Sequence, residues 1–246
     1  MSKSNRETSR AERAAAAVIA QHRQEQRRRA LILGGVLGVV LLIVVATLYG
    51  ISSRSDTSGA AATPPGGVTD TYSVVVGDAS APKTLTVYED FQCPICRDFE
   101  AATRDKVAAA VAAGKLKVEY RMVAFLDRAS TTDYSSRALN AAAVVLDTSG
   151  VDVFKKFHDL LYENQPEEGS AGLTDDQLIR YAVQAGAKES AVRPGIEGND
   201  FHQWTINATD QMSKNGVNGT PTVLVDGKPA GTTLQDAITA ATDASG

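Results

Sequence analysis

Twenty-two consecutive residues without a charge, Ala30–Ile51 (ALILGGVLGVVLLIVVATLYGI), divide this 246-residue chain into unlike parts. A helix of that length extends roughly 33 Å, enough for the hydrocarbon core of a bilayer. A globular helix would show a polar stripe, and this run has none, so it is expected to be a transmembrane helix. Residues 1–29 carry a net charge of +5 and the rest of the chain −9. Arg27-Arg28-Arg29 directly precede the run and are expected to keep the N-terminal side in the cytoplasm and the remainder outside. A cleaved secretory signal has a shorter apolar region and a small-residue exit. Here Tyr49 sits in the exit and Gly59–Thr63 comes late, so an uncleaved signal-anchor is expected. The overall charge of −4 offers nucleic acid no basic footprint.

The expected organisation is a basic cytoplasmic segment (1–29), the membrane span (30–51), a flexible linker (52–71) and an extracytoplasmic domain (72–246). The linker is built of small residues, Pro and Gly. Within the domain, TLTVYEDF (84–91) is β-branched and aromatic and reads as a strand. The apolar positions Phe99, Val107, Ala110 and Val111 then recur at helical spacing until Gly114. KLKVEYRMVAF (115–125) alternates, with Leu116, Val118, Tyr120 and Met122 on one face and Lys115, Lys117, Glu119 and Arg121 on the other. Strand, helix and strand with short joints predict a parallel βαβ unit. Residues 126–215 read as helices only, one of them opened by Thr174 with Gln177 three positions later. Strands return in TPTVLVDGKPA (220–230) around an Asp226-Gly227 turn, and Thr233 caps a last helix.

Both cysteines of the chain, Cys93 and Cys96, lie three positions apart in EDFQCPICRDFE (89–100). A structural disulfide stabilises most by closing a long loop, which this pair does not do, so the spacing points to chemistry. Cys93 ends a strand and opens a helix, where unpaired N–H groups and the helix dipole favour a thiolate. Pro94 suits the first helical turn because its missing N–H has no partner there anyway. Cys96 falls on the apolar face with Phe99 and is expected to be shielded, whereas Cys93 is expected to be exposed and acidic. One reactive and one shielded sulfur suit a dithiol exchanger. Ile95, between them, shapes the surroundings of the thiolate.

The order strand, DFQCPICRDFE, helix, strand, helical block and GTPTVLVDGKP resembles the DsbA-type disulfide oxidoreductases of the thioredoxin superfamily over roughly residues 72–241. The resemblance implies an α/β thioredoxin-like fold with an inserted helical domain, and a redox-active Cys93–Cys96 disulfide in place of any cofactor. It also implies that Pro221 is cis beside that pair and that the Thr220 backbone pairs with an extended substrate peptide. Without the resemblance, Pro221 reads as an ordinary strand-entry proline. The partners implied are exported cysteine-containing clients and a quinone-linked membrane reoxidase. The short tether before Tyr72 lacks the dimerisation domain that isomerases of the superfamily commonly add, so a monomeric oxidase is expected, with a reductase, isomerase, binding domain or metal carrier as alternatives. The resemblance also implies a buried acid six positions before the first cysteine that assists proton transfer at the buried thiol, where this chain has Val87 instead. Glu89 and Asp90 are close by; Glu89 or a water is the candidate substitute, and both residues read equally well as solvated charges at a strand end. His158 and His202 read as packing or surface residues, and one Cys-x-x-Cys with distant histidines is a poor zinc set. Asn207-Ala208-Thr209 and Asn218-Gly219-Thr220 fit a glycosylation pattern, the second overlapping the proposed site.

Overall fold

The computed structural model describes residues 60–69 and 72–246. The expected membrane span lies outside them, and no helix among the described residues is long and apolar enough to cross a membrane.

A five-stranded mixed sheet runs in the order β1-β3-β2-β4-β5. Its centre is the expected pair. β2 (Lys83–Glu89) lies parallel to β3 (Leu116–Met122), with Leu85 opposite Val118 and Glu89 opposite Met122. Between them runs α1 (Pro94–Ala112), which turns Cys96, Phe99, Glu100, Thr103, Val107 and Ala110 inward at helical spacing. Gly114 follows it with φ +68°, a left-handed conformation that glycine adopts without strain. In β3 burial alternates residue by residue, as its sequence predicts, while Leu85–Glu89 of β2 are buried throughout. That pattern belongs to an inner strand covered on both faces. β4 (Thr222–Val225) joins β2 antiparallel and turns through Asp226 and Gly227, both at positive φ, into β5 (Lys228–Pro229). A strand that sequence patterning does not resolve, β1 (Val74–Val76), closes the opposite edge against β3.

Five α-helices separate β3 from β4. They are α2 (Tyr134–Ser149), α3 (Val151–Glu163), α4 (Asp175–Ala185), α5 (Glu189–Gly198) and α6 (His202–Lys214). A 3-10 turn (Asp127–Ala129) leads into them. α2 is the axis of this lobe, buried along most of its length and packed by α3, α5 and α6. Thr174 and Gln177 form the expected capping box on α4, and Thr233 caps α7 (Leu234–Ala244) together with Asp236. The small residues Ala237, Ala241 and Ala244 let α7 pack closely on α1 and β4.

Residues 60–69, expected as the end of a flexible linker, lie against the domain instead. Asp147 Oδ1 accepts from Gly66 N at 2.8 Å, the Ala60 carbonyl accepts from Asn207 Nδ2 at 3.1 Å, and Pro65 is buried. Composition alone reads the stretch as coil. The contacts that hold it come from helices far along the chain.

Candidate active site

Cys93 is the N-cap of α1, with extended φ and ψ of −78° and 115°, and Pro94 occupies the first helical turn. Its sulfur faces the loop before β4 and lies 3.4 Å from the Thr220 carbonyl oxygen. The Thr220–Pro221 peptide bond is cis. The structure therefore brings all six expected residues, Cys93, Pro94, Ile95, Cys96, Thr220 and Pro221, to one end of the sheet. Ile95 is 49% exposed and borders a groove of about 410 Å³ whose other walls include Thr220, Pro221, Thr232 and Leu234.

The two sulfurs, not bonded to each other, are electrostatically unlike. The Cys96 thiol donates to Cys93, and this bond most lowers the Cys93 pKa. Burial opposes it, while the Thr220 side chain and the N–H groups of Cys96 and Ile95 add to the lowering, which brings Cys93 to about 7. As a thiol Cys93 donates to the Thr220 carbonyl, a bond that favours the protonated sulfur, but the donors aimed at the thiolate outweigh it. Burial first, then the Cys93 contact, drives Cys96 well above the usual thiol range. The expectation of an acidic and a shielded sulfur matches this arrangement in all but exposure. Cys93 is only 5% exposed, because the Thr220–Pro221 loop covers it where a bare helix start would leave it open.

The turn carrying Cys93 is held by residues whose polarity reads as surface. Asp90 is buried, and it accepts hydrogen bonds from Gln92 N at 2.8 Å, Leu126 N at 2.9 Å and the Ser135 hydroxyl at 2.6 Å. Burial outweighs these bonds and raises the carboxyl pKa to about 6. The Asp90 carbonyl accepts from Cys93 N, and Gln165 Nε2 donates to the carbonyls of Phe91 and Cys93. The inserted lobe thus grips the active-site turn through Ser135 and Gln165.

Glu89 is also fully buried, so solvated charges at the strand end are not what the fold makes of Glu89 and Asp90. Glu89 Oε1 and His158 Nε2 lie 2.6 Å apart, walled by the rings of Phe91, Tyr120 and Tyr162. His158 is therefore a buried, paired histidine, whereas His202 is exposed. Asn207, of the first glycosylation triplet, is buried. The missed pair had a sequence signal. Glu89 continues the Leu85, Val87 face of a strand at period two, and His158 shares the helical stripe of Phe154, Phe157 and Leu161. Among the described residues, Glu89, Glu100 and His158 also form a group able to hold a metal, with donor atoms within 4.8 Å of one another. A cation there would have to break the short Glu89–His158 hydrogen bond.

A Cys-x-x-Cys dithiol at a strand–helix junction, facing a cis-proline loop on a mixed sheet, defines the class of thioredoxin-like thiol–disulfide oxidoreductases. The family model described as Thioredoxin matches residues 69–244, and the chain belongs to that family, with structural neighbours of the DsbA type. Reduced DsbA from Mycobacterium tuberculosis is 28% identical with a TM-score of 0.58, over 71% of this chain and 99% of that one. Over 157 residues the chain is 29% identical to the serine/threonine-protein kinase PknE of M. tuberculosis, covering 61% of this chain and 28% of the kinase. Disulfide bond formation protein D of Bacillus subtilis is 24% identical over 156 residues, 63% of this chain and 68% of that protein. The chain therefore spans little more than a quarter of the length of the kinase it matches.

Proposed function

We propose that the protein is a membrane-tethered, extracytoplasmic oxidase that donates the Cys93–Cys96 disulfide to exported proteins. One observation carries the reading: Cys93 caps α1 with its sulfur 3.4 Å from the Thr220 carbonyl beside Pro221, while Cys96, one turn on, is fully buried, an arrangement that favours the thiolate at Cys93 and disfavours it at Cys96. A client thiolate attacks Cys93, and the bond to Cys96 breaks. A second client thiolate then displaces Cys93, which leaves readily because its thiolate is stabilised. The client peptide lies in the groove beside Ile95 and Pro221, pairing with the Thr220 backbone. A quinone-linked membrane partner restores the disulfide. The direction follows from place, since disulfides form and persist outside the cytoplasm. Residues 1–29 form the cytoplasmic segment and 30–51 the span, and the catalytic domain acts as a monomer.

One observation supports the reverse direction. A nucleophilic cysteine near 7 matches thioredoxin, whereas the strongest oxidants of this type carry one near 3.5. Two measurements decide. Oxidised protein should restore activity to reduced, unfolded ribonuclease, and the Cys93→Ala variant should not; equal recovery with both removes the enzymatic reading. A glutathione titration should give a potential above about −270 mV, and a value at or below it assigns the protein to the reductases.

A further inference from the structure

A cavity of about 210 Å³ lies between α1 and the sheet. Its floor is Leu85, Val87, Val118 and Tyr120, which the parallel register of β2 and β3 sets side by side on one face. Phe99 and Val107 of α1 form the facing wall. Ala108 and Ala112, both exposed, line it as well and mark where it reaches solvent. It shares no residue with the groove beside Ile95 and Pro221. Packed interiors hold few voids larger than a water molecule, so an apolar space of this size with an entrance is more than a packing fault.

One polar group among these walls lacks a partner. Glu100 lines the cavity and is only 3% exposed, and no described residue donates a hydrogen bond to its carboxyl group. A buried acceptor without a donor is costly and rare. The other polar groups around the cavity are already engaged. The Thr103 hydroxyl donates to the Phe99 carbonyl at 2.9 Å, and Arg104 and Lys155 pair with Asp159 at 3.4 and 2.5 Å.

These features specify an occupant. An apolar cavity of about 150 Å³ is enough to admit a benzene ring, so this one has room for a ring and a short substituent. The substituent has to supply the donor that Glu100 lacks. A carboxylate would meet Glu100 and, within 4.8 Å of it, a carboxyl oxygen of Glu89, whose Oε2 is also buried without a partner. An ammonium would have to pass Arg104 and Lys155 and shed its water in an apolar space. A neutral hydroxyl avoids both penalties.

We propose that the cavity behind α1 binds a small neutral ring molecule bearing a hydroxyl, a phenol by chemical class, which donates to Glu100 while its ring lies on Leu85, Val87 and Val118. No covalent bond is made or broken. Glu100 follows Cys96 by four residues, one turn along the inward face of α1. The occupant therefore rests against the helix that carries the redox pair, away from the client groove.

Calorimetric melting of the full-length chain, with phenol or benzene titrated in, reads both affinities from the rise in melting temperature. Phenol should bind at least about tenfold more tightly than benzene, the worth of one hydrogen bond to a carboxyl group. Benzoate and benzylammonium should leave the melting temperature unchanged. Glu100→Leu should bind phenol and benzene within about threefold of each other, and Val107→Phe, which fills the cavity, should bind neither. Ala108→Trp at the exposed mouth takes the place of Val107→Phe if that variant does not fold, and the wild-type comparison of phenol with benzene decides if Glu100→Leu does not. A cavity that takes only water gives no shift with phenol, which overturns the proposal. So does benzene binding as tightly as phenol, a charged probe matching phenol, a preference for phenol that survives Glu100→Leu, or binding that survives the filled cavity.

Discussion

Asp90 shows how much a single side chain does near the sulfurs. Its carboxylate collects three donors from three separate segments, and its carbonyl receives the N–H of Cys93. Asp90→Ala strands the N–H groups of Gln92 and Leu126 and the Ser135 hydroxyl in a buried site. Each unpaired group costs about 1–3 kcal/mol, so urea unfolding should report a loss of roughly 3–5 kcal/mol. Asp90→Asn keeps an oxygen for Gln92 and Ser135 and turns an amide toward Leu126 N, so it should lose only about 1–2 kcal/mol. Equal losses for the two would mean that the carboxylate is not the hub described here.

Among the elements, those legible in the sequence are those whose cause is local. The alternation of β3, the capping residues Thr174 and Thr233, the Asp226-Gly227 turn and the Cys-x-x-Cys at a helix start all declare themselves within a few residues. What stayed hidden depends on distant partners. β1 is three valines long and becomes a strand only by pairing with Val118, Glu119 and Tyr120. Residues 60–69 are held by Asp147 and Asn207. Glu89 and His158 are 69 positions apart, and polarity alone argues against burying either. The inserted helices accordingly do more than fill a gap between strands. Through Ser135, His158 and Gln165 they supply the second half of the active-site surroundings. Gly172, at φ +67°, lets the segment after Gln165 pass over the Tyr134 ring, where a Cβ would overlap it.

At the scale of the whole domain, burying these groups couples folding to proton uptake. Asp90, Glu100 and His158 all have folded pKa values raised, to about 6, 7 and 9. A raised group stabilises the fold below its unfolded pKa and loses that contribution as the pH climbs through the folded value. The three shifts share one sign, so folding takes up on the order of one to two protons near pH 6. Asp159 has the opposite sign but, lowered to about 2, acts only in strong acid. The oxidised domain should therefore melt at a higher temperature near pH 5 than near pH 8, as calorimetry would record; a melting temperature that rises over this interval would mean that these groups are not buried as described. The central claim is that Cys93 is held as an available thiolate, and titrating its ultraviolet thiolate absorbance against pH in the reduced protein tests it most directly. The midpoint should fall at about 7, with no second transition from Cys96 below the ordinary thiol range. A midpoint at the ~8.5 of a free cysteine would contradict it.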